Sequence, residues 1–270
     1  GCHPFLSGCS LPQMLGSLST VEFPRELVER KLKNIKAHSA PGPDNLYPCI
    51  LKNCSFELSD PLSIIFATSM AEGNLPAEWK RTNITPIHKS GPKNQAENYR
   101  PINVCSAVCK IMESIIKDAL TEHLLDNGLI LPSQHGFIPG RSCVTNLLTY
   151  LNEVTTALDS GVPYDVIMVD FRRAFDVVPF DLLLIKLEAH GILGELLHWF
   201  DDWTKGRQQR VVINGHSSGW ADVISSVVQG SVIGPVLFLL FINDIDCVVD
   251  GEGTKMFKYT DDSKFGRRIR

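Results

Sequence analysis

The chain has 270 residues, 44% of them apolar, which at about 150 residues per domain makes one large domain or two smaller ones with enough substance to bury a core. Its 26 basic and 30 acidic side chains leave a formal charge of -4, so no global basic field draws a polyanion and such a partner has to be met by a local patch. The apolar stretch Val236–Ile242 falls far short of the roughly 20 residues that cross a bilayer, which excludes a membrane-spanning protein.

Taken in chain order, the first expected element is a helix between about Arg25 and Lys36, with Leu27, Val28, Leu32 and Ile35 on one face. Ser39-Ala-Pro-Gly-Pro-Asp44 stops it. A buried helix is expected from Asp60-Pro61, a cap followed by proline at the first helical position, to about Gly73. Thr82 to Lys89 reads as a strand, Ser90–Asn94 as a turn, and Tyr99–Ile102 as extended chain. Long helices follow from Ser106 to Leu125 and from Ser142, an expected N-cap, to Leu158. Tyr164–Asp170 is an expected strand, Asp181–Ala189 and Leu193–Lys205 are expected helices, and Gln208–Asn214 and Trp220–Val227 are strands joined by a Gly-containing turn. A buried helix over Ile233–Val249 and a strand at Lys255–Tyr259 close the list.

The chain opens at Gly1 without a basic flank and apolar run, so it reads as a fragment with no signal peptide. Eight dispersed cysteines point to reduced thiols in an intracellular compartment, with nothing to separate nucleus from cytoplasm, and their spacing offers no zinc site.

Two acidic pairs need explaining. Asp201-Asp202, at a helix end, reads as a solvated surface pair, and taken alone Asp261-Asp262 would read the same way. Asp170, however, ends the apolar strand Ile167–Val169, where burial disfavours a lone charge. If that strand lies beside the one ending at Tyr259, three carboxylates converge at one sheet end. Such oxygen donors suit Mg²⁺, and two ions about 3.5–4 Å apart clamp the attacking and leaving oxygens of a phosphoryl transfer.

Asp170-Phe-Arg-Arg-Ala-Phe-Asp176, Gln229-Gly-Ser-Val-Ile-Gly-Pro235 with Asn243-Asp244, and Tyr259-Thr-Asp-Asp262 resemble, in order and spacing, the palm motifs of reverse transcriptases. Ala40–Asp44, Tyr99–Ile102, Gln134-His-Gly-Phe137 with Gly140-Arg-Ser142, and Lys205–Gly215 are similar to segments of the non-LTR (LINE-type) retrotransposon group. The resemblance covers essentially Lys36 to Gly266. It implies an α+β right-hand polymerase fold: an N-terminal extension (1–38), helix-rich fingers (39–160), and a palm on an antiparallel sheet flanked by helices (161–270). The thumb is expected to be missing.

The resemblance further implies that Asp170, Asp261 and Asp262 are catalytic and ligate two Mg²⁺ ions, with Mn²⁺ as a substitute. Phe175 matches the steric gate against a ribose 2′-OH, and Gln229 and Gly230 the template and nucleotide contact. Arg100 and Lys89 match cations that reach the triphosphate, while Arg141 and Arg207 are candidates for nucleic-acid phosphates. Val228 stands where the family usually has proline, and Thr260 where it usually has alanine. Six basic residues against two acidic ones between Lys255 and Arg270 suggest a local basic strip.

The leading expectation is an RNA-directed DNA polymerase acting on an RNA template, a DNA primer and dNTPs, with endonuclease and thumb regions elsewhere in a longer polyprotein. The alternatives are a catalytically inactive, truncated remnant that retains only nucleic-acid binding, and an intron maturase or RNA-dependent RNA polymerase. The bulky Phe175 and the finger motifs argue against the last.

Overall fold

A computed structural model describes residues 16–228, 230–248 and 253–269. Helix α1 (Arg25–Lys33) forms on the expected stripe, burying Val28 and Leu32 and gathering Arg30, Lys31 and Lys33 at its negative end. Pro48 opens a short helix, α2 (Pro48–Asn53), for which the sequence carried no strong period. The next, α3 (Ser55–Glu72), starts at Ser55 rather than Asp60 and carries Pro61 inside it. The bond that Pro61 forgoes would reach the carbonyl of Glu57, an exposed residue that water can serve. Nor is α3 buried all round: Phe66 and Met70 point inward, whereas Ile64 and Ile65 are exposed.

Strands β1 (Arg81–His88) and β2 (Tyr99–Val104) form an antiparallel hairpin. Ser106 caps α4 (Ala107–Asp126) by accepting the Cys109 N–H, and Ser142 with Thr145 forms a reciprocal capping box on α5 (Cys143–Asp159). Then come β3 (Tyr164–Val169), α6 (Phe180–Ala189), α7 (Gly194–Thr204) and β4 (Gln208–Ile213). Asn214 and Gly215 take φ of 51° and 81°, a type I′ turn into the short β5 (His216–Ser217). The strand expected over Trp220–Val227 shrinks to β6 (Ala221–Asp222). Helix α8 (Gly234–Ile242) is almost wholly buried and continues as 3-10 turns over Asn243–Val248. The chain then runs through β7 (Thr254–Tyr259) and β8 (Asp262–Arg268).

Helices and sheets are thus mixed, as the α+β expectation requires. One sheet has the order β2-β1-β4-β5 with β6 on β4, and the other has the order β3-β8-β7. The second departs from expectation, because β8 lies between the two strands read as neighbours. Its sequence, Asp-Ser-Lys-Phe-Gly-Arg-Arg, has no apolar alternation to announce a central strand. In the first sheet, β4 runs parallel to β1 in the register Arg81↔Gln208 to Ile84↔Val211. The sheet therefore crosses the division expected at 160/161. Trp199, Phe200 and Trp203 of α7 pack with Phe66, Met112 and Leu120 in one continuous core.

Among the described cysteines Cys49, Cys54, Cys105, Cys109 and Cys143 are free, while Cys247 is disulfide-bonded, contrary to the reading of all thiols as reduced. No described helix is long and apolar enough to cross a membrane.

Candidate active site

The β3–β8 register ends at Val169↔Ser263, so Asp170 and Asp262 leave the sheet side by side. Asp261 sits in the two-residue turn closed by the Tyr259↔Asp262 pair. Convergence therefore arises through β8 rather than by direct pairing of β3 with β7. Positive φ in this turn is confined to its first central residue, Thr260 at 56°, the pattern of a type II′ turn that favours glycine there. For a β-branched residue that conformation costs of order 1–3 kcal/mol.

Gln134 meets that strained peptide directly. Its Oε1 accepts from Thr260 N at 3.0 Å and from Gly136 N at 2.8 Å, and its Nε2 donates to Thr260 O at 3.4 Å. Ser133 and His135 bond to both sides of the Lys258 backbone, laying the 133–135 segment alongside β7. The Thr260 hydroxyl turns back to the Tyr259 carbonyl at 2.6 Å.

Asp170, Asp261 and Asp262 line one cleft of about 1080 Å³ together with Lys89, Arg100 and Phe175. Lys93, Arg172, Arg173 and Asp176 also line it. Sequence reasoning gave these three extra cations no role, although Arg172 and Arg173 lie inside the Asp170–Asp176 motif and Lys93 inside the expected Ser90–Asn94 turn. The β1–β2 connection that carries Lys89 and Lys93 is tied by Lys89 N to Asn98 O (2.8 Å) and by Asn98 Nδ2 to Pro92 O (2.8 Å). Phe175 stacks on Phe238 of α8 at 4.3 Å, and its carbonyl accepts the Val227 N–H. Burial pushes the Asp176 carboxyl up, with Arg173 pulling the other way.

The two acidic pairs now separate. Asp201 pairs with Lys205 at 2.6 Å, and Asp202 accepts from Lys80 Nζ at 2.8 Å and from Leu75 N at 2.6 Å. Asp202 is thus a structural tie rather than a solvated charge. None of the Asp170, Asp261 and Asp262 side chains has a hydrogen-bond or ion-pair partner among the described residues. Carboxylates without internal partners are the donors that a hard divalent cation takes, so the residue chemistry fits such an ion. Among the described residues, no set of three or more His, Cys, Asp or Glu side chains is drawn together tightly enough to hold one.

Other expected contacts lie elsewhere. Gln229 falls outside the described residues. Gly230 (φ 115°) abuts β2, where a Cβ would stand 2.4 Å from the Asn103 carbonyl oxygen, and it does not line the cleft. Arg207, expected at a nucleic-acid surface, is only 2% exposed: it donates to Trp203 O at 3.0 Å and lies 4.6 Å over the Trp203 ring. Arg141 turns one guanidinium nitrogen onto the carbonyls of Leu131, Pro132 and Gln134 and so braces that loop. Much of the basic strip is engaged by other residues, although Lys255, Arg267 and Arg268 stay exposed. Lys258 is fully buried against Asp246, Lys255 and Arg268 pair with Glu153, and Lys264 reaches Asn146 and the Tyr150 ring. Val228 is buried, and its carbonyl accepts the Ser231 N–H in the turn before α8.

A family model described as reverse transcriptase (RNA-dependent DNA polymerase) matches residues 87–266. The chain is 27% identical over 249 residues to a probable RNA-directed DNA polymerase from transposon BS of Drosophila melanogaster, covering 88% of the chain and 27% of that protein. It is 27% identical over 257 residues to the RNA-directed DNA polymerase from mobile element jockey of the same organism, covering 93% of the chain and 28% of that protein. A retrovirus-related Pol polyprotein from the type-1 retrotransposable element R2 of Popillia japonica is 23% identical over 224 residues, which cover 83% of the chain and 30% of that protein. The chain thus spans under a third of the length of these relatives.

Proposed function

The chain belongs to the reverse transcriptase family, and from that premise we propose that it is the polymerase core of a non-LTR retrotransposon, extending a DNA 3′-OH on an RNA template. The observation that carries the proposal is a single cleft in which three aspartates, without cationic partners among the described residues, share space with Lys89, Arg100 and the ring of Phe175. Acidic groups left unneutralised beside a set of free cations suit a substrate that brings both phosphate and divalent metal.

In this reading Asp170, Asp261 and Asp262 hold two Mg²⁺ ions. Bound there, the ions would favour the ionised primer 3′-oxygen and neutralise charge growing on the departing phosphates. The 3′-oxygen forms its bond to the α-phosphorus as the α–β phosphate bond breaks, and pyrophosphate leaves. Lys89 and Arg100 bind the triphosphate, and Lys93, Arg172 and Arg173 add to the positive field in which its β- and γ-phosphates sit. The Phe175 ring occupies the space that a ribose 2′-OH would need. Gln229 and Gly230 belong to the loop proposed to meet template and nucleotide.

Primer extension tests the proposal. The protein, made with whatever sequence naturally flanks these residues, is expected to add dTMP to oligo(dT) on poly(rA) with Mg²⁺. No incorporation with either Mg²⁺ or Mn²⁺ would leave the inactive, nucleic-acid-binding remnant as the better reading.

A further inference from the structure

We propose that Gln134 is a positioning residue for the acidic turn, holding the Thr260 peptide so that Asp261 and Asp262 keep their place in the cleft. This rests on the polymerase reading and adds to it a residue that touches neither substrate nor the carboxylates themselves. Gln134 is 1% exposed, and its amide engages both the N–H and the C=O of Thr260, the one non-glycine residue of the turn with positive φ. A second observation points the same way: a Cβ on Gly136 would stand 2.6 Å from Thr260 N and 2.8 Å from Thr260 Cγ2. The 134–136 backbone is therefore pressed against the turn on a side where no side chain fits.

The geometry explains why an amide is needed there. A type II′ turn with threonine at its first central position is poorly favoured on its own, and a glycine would hold it without help. Gln134 replaces that intrinsic preference with two hydrogen bonds to the Thr260 peptide supplied from a distant segment, while a third, from Gly136 N, holds its amide oxygen in place. Asp261 follows the clamped peptide directly, so any relaxation of Thr260 moves the carboxylates first.

The test uses Gln134→Met, Thr260→Gly and the double variant. Gln134→Met is expected to lower kcat about 100-fold, the cost of displacing reacting groups by about 1 Å, with nucleotide KM unchanged. Its Tyr259–Asp262 amides should exchange faster with deuterium, and Mn²⁺ measured by calorimetric titration should bind more weakly. Thr260→Gly removes the conformational demand, so the double variant should recover activity beyond the product of the single effects. A merely structural role for Gln134 would show no such recovery. Parental kcat and Mn²⁺ affinity in Gln134→Met, or a loss that Thr260→Gly leaves untouched, overturns the proposal while Asp261→Asn still reports on the polymerase reading. If the parent makes no product, that reading fails instead, and Mn²⁺ titration with amide exchange still decides the role of Gln134.

Discussion

The ring of Phe175 lies almost parallel to that of Phe238, 17° apart in plane with centroids separated by 4.3 Å. Phe238 is 2% exposed in α8, so it acts as a fixed wall against which the cleft-lining ring is held. A stacked aromatic has little freedom to swing away from an incoming sugar. Phe175→Ala should therefore admit ribonucleotides, raising kcat/KM for UTP relative to dTTP by 10-fold or more, about 1.4 kcal/mol of discrimination. Unchanged selectivity in single-nucleotide incorporation would remove the gate from this residue.

The contrast between the two acidic pairs makes a second expectation concrete. Asp261→Asn should abolish nucleotide incorporation and weaken Mn²⁺ binding by removing a charged donor, and should leave the thermal midpoint unchanged, since the side chain has no partner among the described residues. Asp202→Asn should instead lower the thermal midpoint while leaving incorporation per folded molecule intact, since Asp202 ties Lys80 and the Leu75 amide together. The two variants are compared by primer extension alongside a thermal melt. Equal activity in both would sink the metal assignment.

Glu113 is a buried carboxylate that accepts from Trp203 Nε1 at 3.0 Å and from Val232 N at 2.8 Å. It joins α4 to α7 and to the turn before α8. Glu113→Ala strands both donors away from water, each at about 1–3 kcal/mol, so the urea midpoint should fall sharply. Gln at this position keeps an acceptor and should cost less. Equal stability of the Ala and Gln variants would show that these bonds contribute little.

Burial holds the His190 imidazole below its ordinary value of 6.5, with the Lys186 carbonyl and Asp244 pulling it back up. His135 is lowered by burial and by Arg141. In both cases the unfolded chain takes up a proton that the folded chain resists. The stabilisation is therefore complete above about pH 6.5 and is lost as the pH falls from there through the lower folded-state values. Equilibrium unfolding should show a lower midpoint at about pH 5 than at about pH 7.5, and His190→Asn should flatten the dependence. An identical slope in that variant would assign the effect to other groups.

Cys105 is pushed up to about 11 and Cys109 well above the ordinary thiol value, in each case first by burial and then by Glu113. Cys143 is exposed. Brief treatment of the native protein with iodoacetamide should label Cys143 and spare the other two, as peptide mass analysis would read directly. Labelling of Cys105 before Cys143 would mean that the junction between β2 and α4 opens far more readily than its packing implies.

Much of this was visible beforehand where one local rule governs. Ser142 caps as read, α4 starts next to the expected Ser106 with its helical stripe facing the core, and the three aspartates line one cleft. What sequence could not show depends on distant partners. Arg207 looks like a surface cation until Trp203 supplies both a carbonyl and a ring. Strand β8 has no apolar alternation, and only its pairing with β3 and β7 makes it the central strand. Gln134 opens a motif that the sequence does show, yet nothing local gives the role proposed for it, which is set by a turn more than a hundred positions away.

The parallel pairing of β1 with β4 bears on how the protein is made. Residues that leave the ribosome early cannot complete their sheet until the chain has grown past position 208, so the hairpin of β1 and β2 must wait with one edge open. Long-range parallel pairing of this kind is slow to form and leaves an unpaired edge exposed in the meantime. During synthesis, the open edge of β1 is thus where a chaperone would be most needed.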